Sequence, residues 1–290
     1  RWTRPIQLIF NLDRLGRRMH NKLFVVDGQL GIVGGRNIGN HYFEGESETN
    51  FRDVELLFSG PAVRQAAGVF DGFWNSSAVV PAGAIDRDPG PEAGEVLEGM
   101  RKLGRNPHGS AGEYARQSDL YRQWVLAGGS MIWAKAQVIG EPPVRQAEGA
   151  SKSSSEVARA MAIARQQSTG EVTYAVAYFV PGERGVRVLS DLVNRGVRVK
   201  VLTNSLASTD VLAVHAGYAP YREGLLAGGV ELYEYRPDAS RPRPTSSLIG
   251  VGRSRSALHA KIVVYDRKLV WVGSANFDPR SRHLNTEAGM

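Results

Sequence analysis

Two histidines and two lysines in a repeated pattern are the residues of this chain best suited to chemistry. His20, Lys22, Asp27, Gly34 and Asn37 are echoed by His259, Lys261, Asp266, Gly273 and Asn276, every pair offset by the same 239 positions (259 − 20). A single HxKx4D string is weak evidence, but five matches in one register are hard to obtain by accident. An imidazole titrates near neutrality, so one of a pair can be neutral and attack while the other is protonated and serves as acid, then as base. Two ammonium groups would hold the non-bridging oxygens of a phosphodiester, and two carboxamides would add neutral hydrogen bonds where charge builds up. The set points to displacement at phosphorus through a histidine-bound intermediate, and it requires neither metal nor organic cofactor.

The spacing predicts how these groups are held. Leu23–Val26 and 262–265 are β-branched or aromatic runs ending at Asp27 and Asp266, each followed by a second apolar run, at 30–33 and Leu269–Val272. Each copy reads as a β-hairpin. Side chains alternate along a strand, so His20 and Lys22 point the same way, as do His259 and Lys261. Asn37 and Asn276 follow the second strand, past glycines that let the backbone turn toward a ligand. Asp27 and Asp266 sit at the turns, where an aspartate commonly bonds backbone, and read as structural supports.

Between the copies the pattern predicts a helix at Pro61–Trp74 and connectors at 81–94 and 141–155. Helix Glu156–Gln167, strand 171–180, helix 185–195, strand 197–203, a helix around 211–227 and strand 230–235 then lead to the second hairpin. The expected fold is α/β in two lobes, 1–140 and 141–290, each a mixed β-sheet flanked by helices. Only nineteen positions precede His20, so the first lobe is expected to be truncated at its N-terminus, with any targeting signal lost.

The chain has 290 residues, 42% of them hydrophobic, which suits a globular protein with a large core. A net charge of +7 favours anionic partners, whether nucleic acid, acidic lipid headgroups or phosphorylated small molecules. There is no cysteine, which excludes disulfides, thiolate metal sites and a cysteine nucleophile. No stretch approaches the roughly 18 to 20 apolar residues that cross a bilayer.

The strings HNKLFVVD (20–27) and HAKIVVYD (259–266), with GGRN (34–37) and GSANFD (273–278), resemble the phospholipase D superfamily. Within it, RRMHNKLFVVDG, GGRNIGNHYF, NSLASTDVLAVHAGYAPYREGLL and SRHLNTEAG are most similar to bacterial cardiolipin synthases, particularly the C type. The resemblance implies two lobes related by a pseudo-twofold axis with both motifs at their interface. It implies His20 as nucleophile and His259 as general acid and base.

A histidine nucleophile needs its other ring nitrogen fixed, ordinarily by a carboxylate. The resemblance points to Asp53 in FRDVELL for the first copy and Glu287 in LNTEAG for the second, 33 and 28 positions past their histidines (53 − 20, 287 − 259). The competing reading makes both ordinary strand-edge charges.

The activity implied is phosphatidyl transfer that makes cardiolipin, with phosphatidylglycerol and phosphatidylethanolamine as lipid partners. Hydrolysis of a phosphodiester by a phospholipase D or a nuclease is the alternative. The implied location is peripheral, at the anionic surface of the bacterial cytoplasmic membrane, with no nucleic acid as partner. His215 either lines a lipid cleft or packs in a helix, and the arginines of 236–255 either meet headgroups or form a solvated loop. Trp74, Trp124 and Trp133 are interfacial anchors or, more commonly for tryptophan, buried.

Overall fold

The computed structural model describes residues 17–43, 49–77, 79–85, 93–104, 131–143, 155–238 and 255–290, with 119, 122 and 129. The first motif forms the expected hairpin of β1 (Leu23–Val26) and β2 (Leu30–Gly34), with Leu23 opposite Val33. Its turn is tight because Asp27 and Gly28 both adopt positive φ, 51° and 64°. The Gln29 N–H donates to Val26 O at 3.0 Å, closing a β-turn around those two residues in a three-residue loop. After β3 (Thr49–Arg52), strand β4 (Glu55–Ser59) pairs antiparallel with β2, and helix α1 (Pro61–Trp74) covers the sheet. Val33, Phe58, Val63, Ala66 and Val138 are buried between sheet and helix. Two further helices, α2 (Ala82–Ile85) and α3 (Ala93–Gly104), follow. The first of these lies in the predicted connector.

Strand β5 (Ile139–Gly140) precedes α4 (Glu156–Gln167). Glu141, expected in a loop, is buried and accepts hydrogen bonds from the Ser155 hydroxyl and the Val157 amide. It thereby satisfies amides that the first turn of a helix leaves unpaired. Then come β6 (Glu171–Val176), α5 (Gly182–Asn194), β7 (Arg198–Asn204), α6 (Leu212–Tyr218), α7 (Arg222–Ala227) and β8 (Glu231–Tyr235). One helix over 211–227 was expected; a 3-10 turn at Ala219–Tyr221 containing Pro220 splits it in two. A proline removes an N–H and clashes with the preceding turn. The predicted strand 171–180 ends at Val176, because its partner strand ends opposite, at Lys261.

Strand β9 (Arg255–Leu258) leads into the second hairpin, β10 (Lys261–Tyr265) and β11 (Leu269–Val272), followed by α8 (Pro279–His283) and β12 (Ala288–Gly289). The second sheet has the order β11-β10-β6-β7-β8, parallel from β6 to β8 and antiparallel across β10. Val172, Tyr174, Leu189, Val201, Leu225 and Val263 are buried in its core. Each large apolar side chain so buried contributes about 1.5–3 kcal/mol before chain entropy is subtracted.

The two sheets are not equivalent. Among the described residues the strands of the first are antiparallel and β1 pairs only with β2, whereas its counterpart β10 also pairs with β6. The parallel neighbours that make the second sheet mixed follow α4, and the first hairpin has no such run before it among the described residues. The halves are tied together by β3, parallel to β9, and by β5, antiparallel to β12. Trp74 and Trp133 are exposed instead of buried, and Trp124 lies outside the described residues. No described helix is long and apolar enough to cross a membrane.

Candidate active site

The register of β10 on β6 sets Lys261 opposite Val176, so the start of β10 lies beside the carboxyl end of β6. Open α/β sheets bind ligands outside the carboxyl ends of their parallel strands. Tyr178 lies just beyond β6, Asn204 ends β7, His259 lies just before β10 and Lys261 opens it. The Asn204 side chain fixes the entry to His259: its amide donates to Leu258 O at 2.8 Å and its carbonyl accepts from Leu258 N at 2.9 Å.

Both histidines are held by the other copy of the motif. His20 donates through Nδ1 to Glu287 at 2.8 Å, and its backbone N–H donates to Thr286 O at 3.0 Å. His259 donates through Nδ1 to Asp53 at 2.7 Å, and its backbone N–H donates to Arg52 O at 2.7 Å. This corrects the expected pairing of each acid with its own copy's histidine. The physical reason lies in the paired segments: β3 runs alongside β9, and Met19 bridges Thr286, so each acid-bearing segment lies against the opposite histidine. Asp53 and Glu287 are not exposed strand-edge charges, since both carboxylates are buried.

The two arrangements differ in detail. Glu287 also accepts from the Ser274 hydroxyl at 2.5 Å and from the Asn285 amide at 3.3 Å. The residue equivalent to Ser274 in the first copy is Gly35, where a Cβ would lie 2.8 Å from Asp53 Oδ1 and 2.9 Å from Lys261 Cδ. Glycine is what lets the first copy's backbone press against the second copy's lysine. His259 is buried whereas the His20 side chain keeps 25% exposure. Burial lowers the His259 pKa, against the opposing pull of Asp53.

The lysines face the same space. Lys22 Nζ donates to His20 O at 2.8 Å, and Lys261 Nζ lies 3.0 Å from His259 Nδ1. Burial brings Lys22 down to about 8, against the pull of Glu287 and Asp53. Burial brings Lys261 down to about 7, helped by repulsion from Lys22 and opposed by Asp53, Glu287 and Asp210. Each lysine thus feels both carboxylates, which places all six groups in one site.

The asparagines play unequal parts. The Asn37 amide donates to the Tyr42 hydroxyl at 2.7 Å, and that hydroxyl lies 3.5 Å from His259 Nε2. Asn276 accepts from the Tyr178 backbone N–H at 3.4 Å. The turn aspartates differ too. Asp266 accepts from Thr169, Gly170 and Glu171 backbone amides, anchoring a turn in which Asp266 and Arg267 both have positive φ. Asp27 makes no equivalent tie among the described residues. His215 is buried edge-on against Tyr218, a packing position in α6. Of the arginine-rich stretch, Arg236 pairs with Asp238, and most of the remainder lies outside the described residues.

Tyr42, Tyr178, Asp210 and Ser274 were not singled out from sequence. Tyr178 donates to Asp210 at 2.8 Å, and its ring lies 6.0 Å from Lys261 Nζ. Ser274 could have been found by comparing the copies position by position, since it stands where Gly35 does. Nothing marks Tyr178 or Asp210 in the sequence. Among the described residues no group of three or more histidines and carboxylates is placed to hold a metal ion.

Residues 163–290 match the family model described as "Cardiolipin synthase, PLD-like domain". The crystal structure of phosphatidylserine synthase from Haemophilus influenzae Rd KW20 matches 93% of this chain and 57% of that one, with a TM-score of 0.55 and 14% identity. The chain has the phospholipase D fold. Across its whole length it is 38% identical to cardiolipin synthase C of Escherichia coli (strain K12), of which it spans 61%. It is 27% identical to a cardiolipin synthase of Geobacillus thermodenitrificans (strain NG80-2), with 98% of this chain and 44% of that protein aligned. The chain therefore spans less than two thirds of these relatives. Within the phospholipase D fold, the clasped histidines and the two lysines are the candidate reacting centre.

Proposed function

We propose that the chain transfers a phosphatidyl group between phospholipids through a phosphohistidine, making cardiolipin. The observation that carries the reading is the pair of crossed clasps, two imidazoles each held by a buried carboxylate beside two lysines. Similarity to cardiolipin synthases along the whole chain supports the choice of a lipid substrate. Residues 1–140 and 141–290 act as the two lobes, each supplying one motif.

His20, with Nδ1–H held by Glu287, presents a neutral Nε2 to phosphorus. A P–N bond forms, the P–O bond to the donor headgroup breaks, and His259 gives its proton to the departing oxygen. A hydroxyl of phosphatidylglycerol then attacks the phosphohistidine while His259 takes its proton, and the P–N bond breaks. Lys22 and Lys261 hold the non-bridging oxygens through both steps, with Asn37 and Asn276 adding hydrogen bonds. Phosphatidylethanolamine or a second phosphatidylglycerol serves as donor. The net charge of +7 and the exposed Ile132, Trp133 and Trp74 suit a peripheral position on an anionic membrane.

The test is mass spectrometry of lipids after incubation with mixed phosphatidylglycerol and phosphatidylethanolamine vesicles, beside His20→Ala. New cardiolipin that requires His20 supports the transferase. Phosphatidic acid alone means that water takes the second step and the protein is a hydrolase. Cleavage of single-stranded DNA without lipid turnover would move the reading to a nuclease.

A further inference from the structure

A cavity of about 310 Å³ opens between α4, the start of α5 and α8, with Asn276 in its lining. Arg165, Arg184 and Arg282 converge on it from those three helices, while Met161, Val180 and Phe277 give it apolar wall. Tyr174, 1% exposed, also lines it, and its hydroxyl interacts with Arg165. Three guanidinium groups brought together repel one another. Burial lowers the Arg282 pKa, and repulsion from Arg184 and Arg165 lowers it further. An anion in the cavity would relieve that repulsion, and a guanidinium is well matched to phosphate oxygens.

The cavity lies beside the second motif: Asn276 and the buried Asp278 carboxylate are in its lining, and Asp278 interacts electrostatically with Glu287 and His20. Cardiolipin formation requires two phosphates near each other: one is bound to histidine, and the other is already present in the phosphatidylglycerol whose hydroxyl attacks. The crossed clasps and two lysines account for the first phosphate only.

We infer that the cavity formed by Arg165, Arg184, Arg282 and Tyr174 binds the phosphodiester of the acceptor lipid, with the glycerol side of that lipid against Met161, Val180 and Phe277. The inference rests on the transferase reading and supplies its missing acceptor site. The arginines set which nucleophile captures the phosphohistidine: with the acceptor held, its hydroxyl is the local nucleophile, and without it water competes.

The test uses Arg165→Gln with Arg184→Gln in the full chain, beside Arg187→Gln on the exposed face of α5 as control. In mixed vesicles the ratio of cardiolipin to phosphatidic acid should fall by about tenfold or more in the double variant, as expected for loss of charge-assisted hydrogen bonds. Arg187→Gln should keep the parent ratio. General damage to the fold would lower both products together and leave the ratio intact, and that result overturns the assignment.

A second arm measures equilibrium binding of dihexanoyl phosphatidylglycerol to His20→Ala protein. Two sites per chain, reduced to one by the arginine substitutions, support the cavity; an unchanged number overturns it. If inorganic phosphate empties the second site as readily as the lipid fills it, the site is one for free phosphate and the lipid assignment fails. Should no protein form cardiolipin, the transferase reading fails, while the binding arm still decides whether the cavity holds a phospholipid.

Discussion

Glu287 accepts the Nδ1–H of His20 at 2.8 Å across 267 positions of chain. The residue before it, Thr286, takes the His20 backbone N–H, and Arg52 with Asp53 repeats the arrangement on His259. Backbone and ring of each histidine are thus oriented by one dipeptide from the opposite copy. Glu287→Gln and Asp53→Asn should each lower kcat by about 10²–10⁴-fold with the fold intact, because the carboxamide cannot stabilise an imidazolium. Alkali-quenched samples analysed for phosphohistidine, whose P–N bond survives base and not acid, separate the two: Glu287→Gln should slow its formation on His20, and a trapped phosphoryl group on His259 instead would reverse the assigned roles.

Lys22 and Lys261 bind anions in their ammonium forms, and burial has brought them to about 8 and about 7. Below those values the site is charged and affinity is level. Above them each lysine must take up a proton to bind, so affinity falls, by up to about tenfold per pH unit for each proton. Titration with dimethyl phosphate, whose own charge is constant from about pH 6 to 9, should show this decline together with proton uptake in buffers of different ionisation enthalpy. Affinity that stayed flat through this range would mean that the lysines remain charged without ligand.

The Tyr42 hydroxyl joins Asn37 of the first copy to His259 of the second, and burial raises its pKa so that it stays protonated. Tyr42→Phe keeps the ring against His259 and Phe51 but removes the link. The expected result is a loss in kcat of about 3–10-fold with KM little changed, measured by cardiolipin formation in vesicles. An equal loss in Asn37→Ala, with no further loss in the double variant, would show that the pair acts as a unit.

Asp266 holds three backbone amides of the segment before β6, and these hydrogen bonds lower its pKa. A folded-state pKa below the unfolded one stabilises the fold above the unfolded value, near 3.9, and that stability is lost as pH falls through the folded value. Asp266→Asn should lower Tm by about 2–6 °C at neutral pH, with the difference narrowing below about pH 4. Asp27→Asn should have a smaller effect, because Asp27 accepts no such set of amides among the described residues. Thermal unfolding followed by circular dichroism at both pH values checks the pair.

Much of the second half was legible in sequence because its hydrophobic pattern and its turns agree. The Glu156–Gln167 helix has the predicted ends, helped by the Ser155 cap on the Ala158 N–H. Where expectation failed, a longer-range contact was responsible. Nothing within FRDVELL or LNTEAG reveals that Asp53 and Glu287 cross to the opposite histidine; that follows from β3 lying along β9 and Met19 bridging Thr286. The apolar run to position 180 looked like one strand, yet the partner strand stops at Lys261, leaving Tyr178 to turn toward Asp210. Local spacing therefore singled out the histidines and lysines that the structure brings together and missed the tyrosines around them.

The exchange of acids between copies constrains how such a chain can change. Neither half contains a complete histidine–carboxylate pair, so a single-copy ancestor with this geometry would have completed its centre only by associating with a second molecule. Substitution of one acid acts on the histidine more than two hundred positions away, and not on the histidine of its own motif. Coevolution in this chain should therefore run across the repeat.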